Sequence, residues 1–186
     1  MIWKDHSKLA GLHAFLGASK YSWLGYSDEK LIETYMNAMA VEQGTIDHSF
    51  AATCIERKQK LAGKSNLAQY VNDAIGFRMT PEQTLYYSDN CFGTADAIAF
   101  DKKFLRIHDL KTGKTPAKFD QLVIYAALFC LEYNVNPEDI QIELRIYQMG
   151  EIKVHIPESE DVRFVMGKII SADKILNQFK DKEGIK

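Results

Sequence analysis

The sequence is poor in several residue types that mark particular classes of protein. It contains three cysteines, four prolines and two tryptophans among 186 residues. Because Cys54, Cys91 and Cys130 are odd in number and far apart, we expect three reduced thiols rather than disulfides or zinc ligands. No Pro-, Gly- or Ser-rich linker interrupts the chain, which favours one domain over residues 1–186.

Neither sign of charge predominates, and long apolar runs are missing. Lysine and arginine number 23, aspartate and glutamate 25, and the formal net charge is −2. This balance argues against a protein that coats nucleic acid through charge alone, but it permits a local basic patch. No apolar run reaches the roughly 18–20 residues of a membrane span, and residues 1–6 show no signal peptide. We therefore expect a cytoplasmic protein without a membrane partner.

The hydrophobic pattern predicts an α/β (α+β) domain, mainly helical over 1–76 and with a mixed sheet and flanking helices over 77–186. A helix start is predicted at Ser27, and helices are predicted over 39–60, closed by Gly63, and over 67–75, 115–133 and 161–179. Thr115 and Pro116 have the residue types of an N-cap and a first helical position. Strands are predicted over 83–88, 92–100, 104–111, 140–148 and 152–156.

Two acids and a lysine fall on the apolar faces of neighbouring predicted strands. Since side chains alternate along a strand, Asp96 shares a face with Ile98. Asp109 and Lys111 share a face with Ile107 in the same way. Burial of unpaired carboxylates costs several kcal/mol, and Mg²⁺ or Mn²⁺ bound between them would offset that cost. The alternative is a buried Asp–Lys ion pair beside a solvated Asp96.

Two helical patterns add weaker candidates for the same site. The predicted apolar stripe of helix 39–60 consists of Val41, Thr45, His48, Ala52 and Ile55. A lone histidine in such a stripe suits a core position as well as a metal ligand. Gln121 and Tyr125, one turn apart on the helix after the second acidic strand, point the same way. They suit either a polar helix edge or a site.

Taken together, four short motifs occur in a fixed order on fixed element types. They are Gly44-x-x-x-His48 on a helix, Gly93-x-x-Asp96 and Asp109-x-Lys111 on strands, and Gln121-x-x-x-Tyr125 on a helix. In this order the sequence resembles the RecB-like branch of the PD-(D/E)XK nuclease superfamily. It also resembles the small phage-encoded exonucleases of that branch.

The resemblance implies a restriction-endonuclease-like core and a metal-dependent DNA nuclease, an exonuclease of phage-type recombination or DNA processing. It implies one or two Mg²⁺ or Mn²⁺ ions, with His48, Asp96, Asp109 and the main-chain carbonyl of Leu110 as ligands. Asp96, Asp109 and Lys111 would be catalytic, while Gln121 and Tyr125 would support the site and contact DNA. Because no cysteine follows Cys130, we expect no iron–sulfur cluster of the kind found in some relatives.

Lysines near the second acidic strand are candidates for contacts to DNA. Lys114 and Lys118, in the loop and the first helical turn after it, suit phosphate binding, although a solvated loop would look the same. A separate recombination or single-strand-annealing protein and a second copy of the chain are further candidate partners. A phage-encoded protein would act in the cytoplasm of its bacterial host. A non-catalytic DNA- or partner-binding module on the same fold stays the alternative function.

Overall fold

The structure of the protein is a computed structural model that describes Lys8 and residues 13–184. Residues 1–6, for which we predict no signal peptide, lie outside the described residues. The chain divides into two compact units, residues 1–43 and 44–186. Among the described helices, none has the length and apolar character that a membrane crossing requires.

Helix α1 (Asp28–Glu56) begins in the first unit, after a 3₁₀ helix at Ala18–Gly25, and ends in the second. The predicted start is confirmed, because the Ser27 hydroxyl accepts a hydrogen bond from the Lys30 amide (3.3 Å). The predicted end is too late. Lys58 has a left-handed backbone (φ 54°), which stops the helix well before Gly63.

Five strands form one mixed sheet in the spatial order β1-β2-β3-β4-β5. They are β1 (Thr80–Ser88), β2 (Cys91–Asp101), β3 (Phe104–Leu110), β4 (Gln141–Gln148) and β5 (Glu151–His155). Only β3 and β4 are parallel, and the other neighbours pair antiparallel. The mixed α/β class is therefore confirmed, and every predicted strand lies within three residues of an observed one.

Three further helices flank the sheet. They are α2 (Asn66–Gly76), α3 (Asp120–Glu132) and α4 (Ser159–Glu183). One apolar cluster joins the strands to α3 and α4, through residues such as Leu105, Ile107, Leu122 and Ile169. A second cluster joins them to α2 and the last turns of α1, through Ile55, Val71 and Tyr147. The three cysteines are free thiols, as predicted.

The helix after β3 begins later than the sequence predicts. It starts at Asp120 rather than at Thr115 and Pro116, and Lys118 consequently lies in a loop instead of a first helical turn. We refer to residues 111–119 as the lysine loop. Its irregular course has a cause elsewhere in the chain, at the end of β4.

Gln148, which is 3% exposed, ties the lysine loop to the sheet. Its side-chain nitrogen donates to the carbonyls of Gly113 (2.7 Å) and Thr115 (2.8 Å). Its side-chain oxygen accepts from the Ala117 amide (2.9 Å). The Thr115 carbonyl would accept the first main-chain hydrogen bond of a helix capped at Thr115, and Gln148 binds it instead. The other two bonds hold the loop in its irregular course as far as α3.

Candidate functional site

The two acidic motifs meet where β2 and β3 run side by side. Ala97 pairs with His108, and Asp96 and Asp109 are the next residues along the two strands. Asp109 is 1% exposed, and the Asp96 side chain is 15% exposed. The buried Asp–Lys ion pair of the alternative interpretation is present, between Asp109 and Lys111, while Asp96 is partly buried rather than fully solvated.

The Asp96 carboxylate links three elements. Its Oδ2 accepts a hydrogen bond from the Leu110 amide at 2.9 Å. The Nδ1 of His48 on α1 lies 3.3 Å from the same oxygen. This hydrogen bond to Asp96 raises the pKa of His48, although partial burial opposes it. Leu110 thus contributes its amide to the site, and its carbonyl stays a predicted ligand.

The buried stripe of α1 differs from the predicted one by a rotation of the helix. Gly44, Ala51 and Ile55 are buried and His48 is half-buried, whereas Val41 and Thr45 are exposed. A Cβ on Gly44 would lie 2.8 Å from the hydroxyl of Thr112 in the lysine loop. The missing side chain therefore permits the close approach that carries His48 to Asp96.

Asp109 is a buried carboxylate with unusual surroundings. Neither of its oxygens receives a hydrogen bond from the part of the chain that the structure describes. The Lys111 ammonium lies 3.1 Å from Oδ1 and forms an ion pair with it. Burial, and then the charge of Asp96, raise the pKa of Asp109 to about 6, while Lys111 opposes the rise. A cation near both carboxylates would remove this penalty.

Lys111 is held by the fourth motif. Its ammonium donates to the Gln121 side-chain oxygen at 3.0 Å, and the Gln121 side-chain nitrogen donates to the Tyr125 hydroxyl at 3.0 Å. Tyr125 in turn packs over Gly93, where a Cβ would stand 2.9 Å from its ring carbon Cε1. A series of side-chain contacts therefore connects Asp109 through Lys111 and Tyr125 to Gly93.

Gly93→Ala should disturb this series of contacts, because the added Cβ would displace the Tyr125 ring. We expect a loss of about 1–3 kcal/mol in the free energy of unfolding, as in other overpacked sites. Because the clash is with a ring carbon, Tyr125→Leu should relieve it in the double variant, whereas Tyr125→Phe should not. A double-mutant cycle measured by chemical denaturation checks this. Equal coupling energies of Gly93→Ala with Tyr125→Leu and with Tyr125→Phe would contradict this contact.

Glu82 of β1 joins the site, although sequence analysis missed it. The β1–β2 pairing on both sides of Glu82 leaves it across from Asp96. Potential ligand atoms of His48, Glu82 and Asp96 all lie within 4.8 Å of one another, and no other such group occurs among the described residues. Burial and the charge of Asp96 raise the pKa of Glu82.

Glu82 also has a strained backbone, with φ at 47° inside a strand. This left-handed conformation costs a residue other than glycine about 1–3 kcal/mol, and it persists where the surroundings enforce it. The signal in the sequence was an acid directly after Pro81 and just before the predicted strand 83–88. The observed strand β1 begins at Thr80, three residues before the predicted one, and therefore includes Glu82.

The remaining predicted residues lie in the lysine loop. Lys114 and Lys118 are both exposed. Their exposure is compatible with phosphate binding and with simple solvation.

Comparisons with known proteins bring no match. No family model matches the chain, and no curated protein or solved structure matches it either. The functional interpretation therefore depends on the four motifs and on the geometry of their side chains.

Proposed function

We propose that the protein is a Mg²⁺- or Mn²⁺-dependent DNA nuclease of the RecB-like branch of the PD-(D/E)XK superfamily. The observation that carries the proposal is the Asp109 carboxylate, which is buried beside Asp96 and receives no well-directed hydrogen bond from the described residues. One lysine, 31% exposed, faces it as the nearest cation. Such a concentration of buried negative charge is costly unless a cation binds there.

The donor set fits a hard divalent cation. Carboxylate oxygens from Asp96 and Glu82 and an imidazole nitrogen from His48, which lie within 4.8 Å of one another, are donors that Mg²⁺ and Mn²⁺ accept. The predicted ligand Asp109 lies outside this group, on the neighbouring strand β3, and its carboxylate would be a further donor. The predicted main-chain carbonyl of Leu110 would add a further oxygen. A divalent ion held there would supply a Lewis acid for a phosphoryl oxygen and lower the pKa of a nearby water molecule.

The side chains around the donor set have separate tasks in phosphodiester hydrolysis. Lys111, fixed by Asp109 and Gln121, holds a positive charge where negative charge develops on the phosphate. It also orients the attacking water as a hydrogen-bond donor. Gln121 and Tyr125 keep the ammonium in place. Lys114 and Lys118 attract the phosphates of the DNA strand.

We further propose that the enzyme is an exonuclease of phage-type recombination or DNA processing, which acts in the cytoplasm. A recombination or single-strand-annealing protein would take its product. Hydrolysis of an end-labelled duplex with Mg²⁺ or Mn²⁺, and none in EDTA, is the expected result. DNA binding without product in either metal would instead favour the non-catalytic binding module.

Glu82→Gln should weaken Mn²⁺ binding more than it lowers the rate of hydrolysis at saturating Mn²⁺. Loss of one charged donor should raise the Mn²⁺ concentration for half-maximal activity by about 10–100-fold. Glu160→Gln, an exposed acid of α4, is the matched control and should leave this concentration unchanged. The measurement is a Mn²⁺ titration of the hydrolysis rate. An unchanged half-maximal concentration in Glu82→Gln would remove this residue from the ligand set.

A further inference from the structure

A second basic segment lies outside the four motifs, between α1 and α2. Residues 57–64, which we call the basic segment, contain Arg57, Lys58, Lys60 and Lys64 and no carboxylate. All four cations are exposed. None of them forms an ion pair with an acid of residues 13–184.

The basic segment is held in one conformation by amide side chains. The Asn72 side chain accepts from the Leu61 amide (2.9 Å) and donates to the Leu61 carbonyl (2.8 Å). The Gln69 side chain donates to the Lys64 carbonyl (2.6 Å). Ser65 caps α2 directly after it. The cationic side chains therefore extend from a backbone that these bonds define.

Asn66 attaches the basic segment to the turn between β4 and β5. Its side chain accepts from the Gly150 amide (2.5 Å) and donates to the Glu151 carbonyl (2.8 Å). Gln148, at the other end of the same turn, holds the lysine loop. One turn is therefore bonded to both cationic segments.

The strand directions put this turn beside the proposed metal site. β3 and β4 are parallel, so their last residues reach the same edge of the sheet. The Lys111 amide donates to the Tyr147 carbonyl at 3.0 Å, which fixes the two strand ends side by side. Along this edge the order is the lysine loop, the β4–β5 turn and the basic segment.

We infer that the basic segment and the lysine loop form one surface that binds the sugar–phosphate backbone of DNA beyond the metal site. The inference rests on the proposed function, since it takes DNA as the ligand. The two segments carry seven cations, of which Lys111 is paired with Asp109. They contain no carboxylate, and Glu151 is the one acid at the turn between them. A row of phosphates is the complementary partner of this excess of positive charge. The net charge of the whole chain does not reveal this local concentration.

Lys60→Gln/Lys64→Gln is the variant that tests this surface. Lys58 is left unchanged, because its left-handed backbone would add strain. The matched control is Lys102→Asn/Lys103→Asn, which removes the same charge from the β2–β3 turn at the opposite end of β3. Asparagine tolerates the positive φ angles of both turn positions.

Binding of a fluorescent duplex in EDTA is measured first, by anisotropy at several salt concentrations. The slope of log K against log salt should fall by about 2 in the double variant, one for each lysine, and stay unchanged in the control. Binding should weaken by about tenfold at low salt. An unchanged slope in the double variant, or an equal fall in the control, would overturn the inference.

Hydrolysis with Mn²⁺ separates this inference from the proposed function. The double variant should show a KM for a long duplex about tenfold higher, with kcat unchanged. If the wild type hydrolyses nothing but the double variant shows the lower slope, the nuclease is refuted and the DNA-binding surface is supported. If the wild type hydrolyses DNA but the double variant has the same KM and the same slope, the DNA-binding surface is refuted and the proposed nuclease is not affected.

Discussion

Lys111→Ala should lower the rate of DNA hydrolysis at saturating Mn²⁺ by about 10²–10⁴-fold, the usual contribution of a positioned proton-transfer or charge-stabilising group. The ammonium lies between the Asp109 carboxylate (3.1 Å) and the Gln121 oxygen (3.0 Å). Alanine removes the positive charge and leaves both acceptors without it. Single-turnover hydrolysis of a labelled duplex measures the chemical step.

The loss of rate should exceed what any change in folding explains. Lys111 is the cation nearest to the buried Asp109 carboxylate, so alanine should also lower the free energy of unfolding in EDTA, and the rates are compared under conditions where both proteins are fully folded. Lys103→Asn, in the turn at the opposite end of β3, removes the same charge and should keep the wild-type rate. Wild-type hydrolysis by Lys111→Ala would contradict the role assigned to this lysine.

Asp109→Asn should abolish hydrolysis and yet stabilise the metal-free protein. The Lys111 ammonium offsets only part of the cost of burying the ionised carboxylate, because burial and the charge of Asp96 still raise its pKa. A neutral amide of nearly the same shape removes the charge. We expect the free energy of unfolding in EDTA at neutral pH to rise by about 1–3 kcal/mol, measured by chemical denaturation.

Metal should reverse this order of stability. Mn²⁺ binds only the folded donor set, so it should raise the Tm of the wild type as its concentration increases. Asp109→Asn should gain far less. Asp101→Asn, an exposed acid at the end of β2, is the matched control and should respond as the wild type does. A variant less stable than the wild type in EDTA would show that Asp109 serves the fold.

The sequence predicts the strands and much of the candidate site because these depend on local periodicity. Alternation along β2 and β3 places Asp96 and Asp109 in the sheet, and helical spacing places Gln121 with Tyr125. Both pairs are found together, with Lys111 bonded to Gln121. Short-range patterns suffice where the element itself determines which side chains share a face.

Interactions between distant residues explain what the sequence did not predict. Gln148 delays the start of α3 through bonds to residues more than 30 positions earlier. The contact of Gly44 with Thr112 sets the rotation of α1, which no helical pattern encodes. Glu82 enters the site through a positive φ beside a proline. The sequence does not show that the basic segment lies near the lysine loop, because the bonds of Asn66 to the β4–β5 turn bring them together.

The central claim is that these carboxylates form a divalent-metal centre that hydrolyses DNA from its ends. Its most direct test compares end-labelled linear duplex with closed circular duplex in Mg²⁺, Mn²⁺ and EDTA, for the wild type and for Asp109→Asn. We predict that the wild type degrades linear DNA in either metal, spares the circle and does nothing in EDTA, while Asp109→Asn is inactive throughout. Hydrolysis in EDTA, or hydrolysis that survives in Asp109→Asn, would contradict this account.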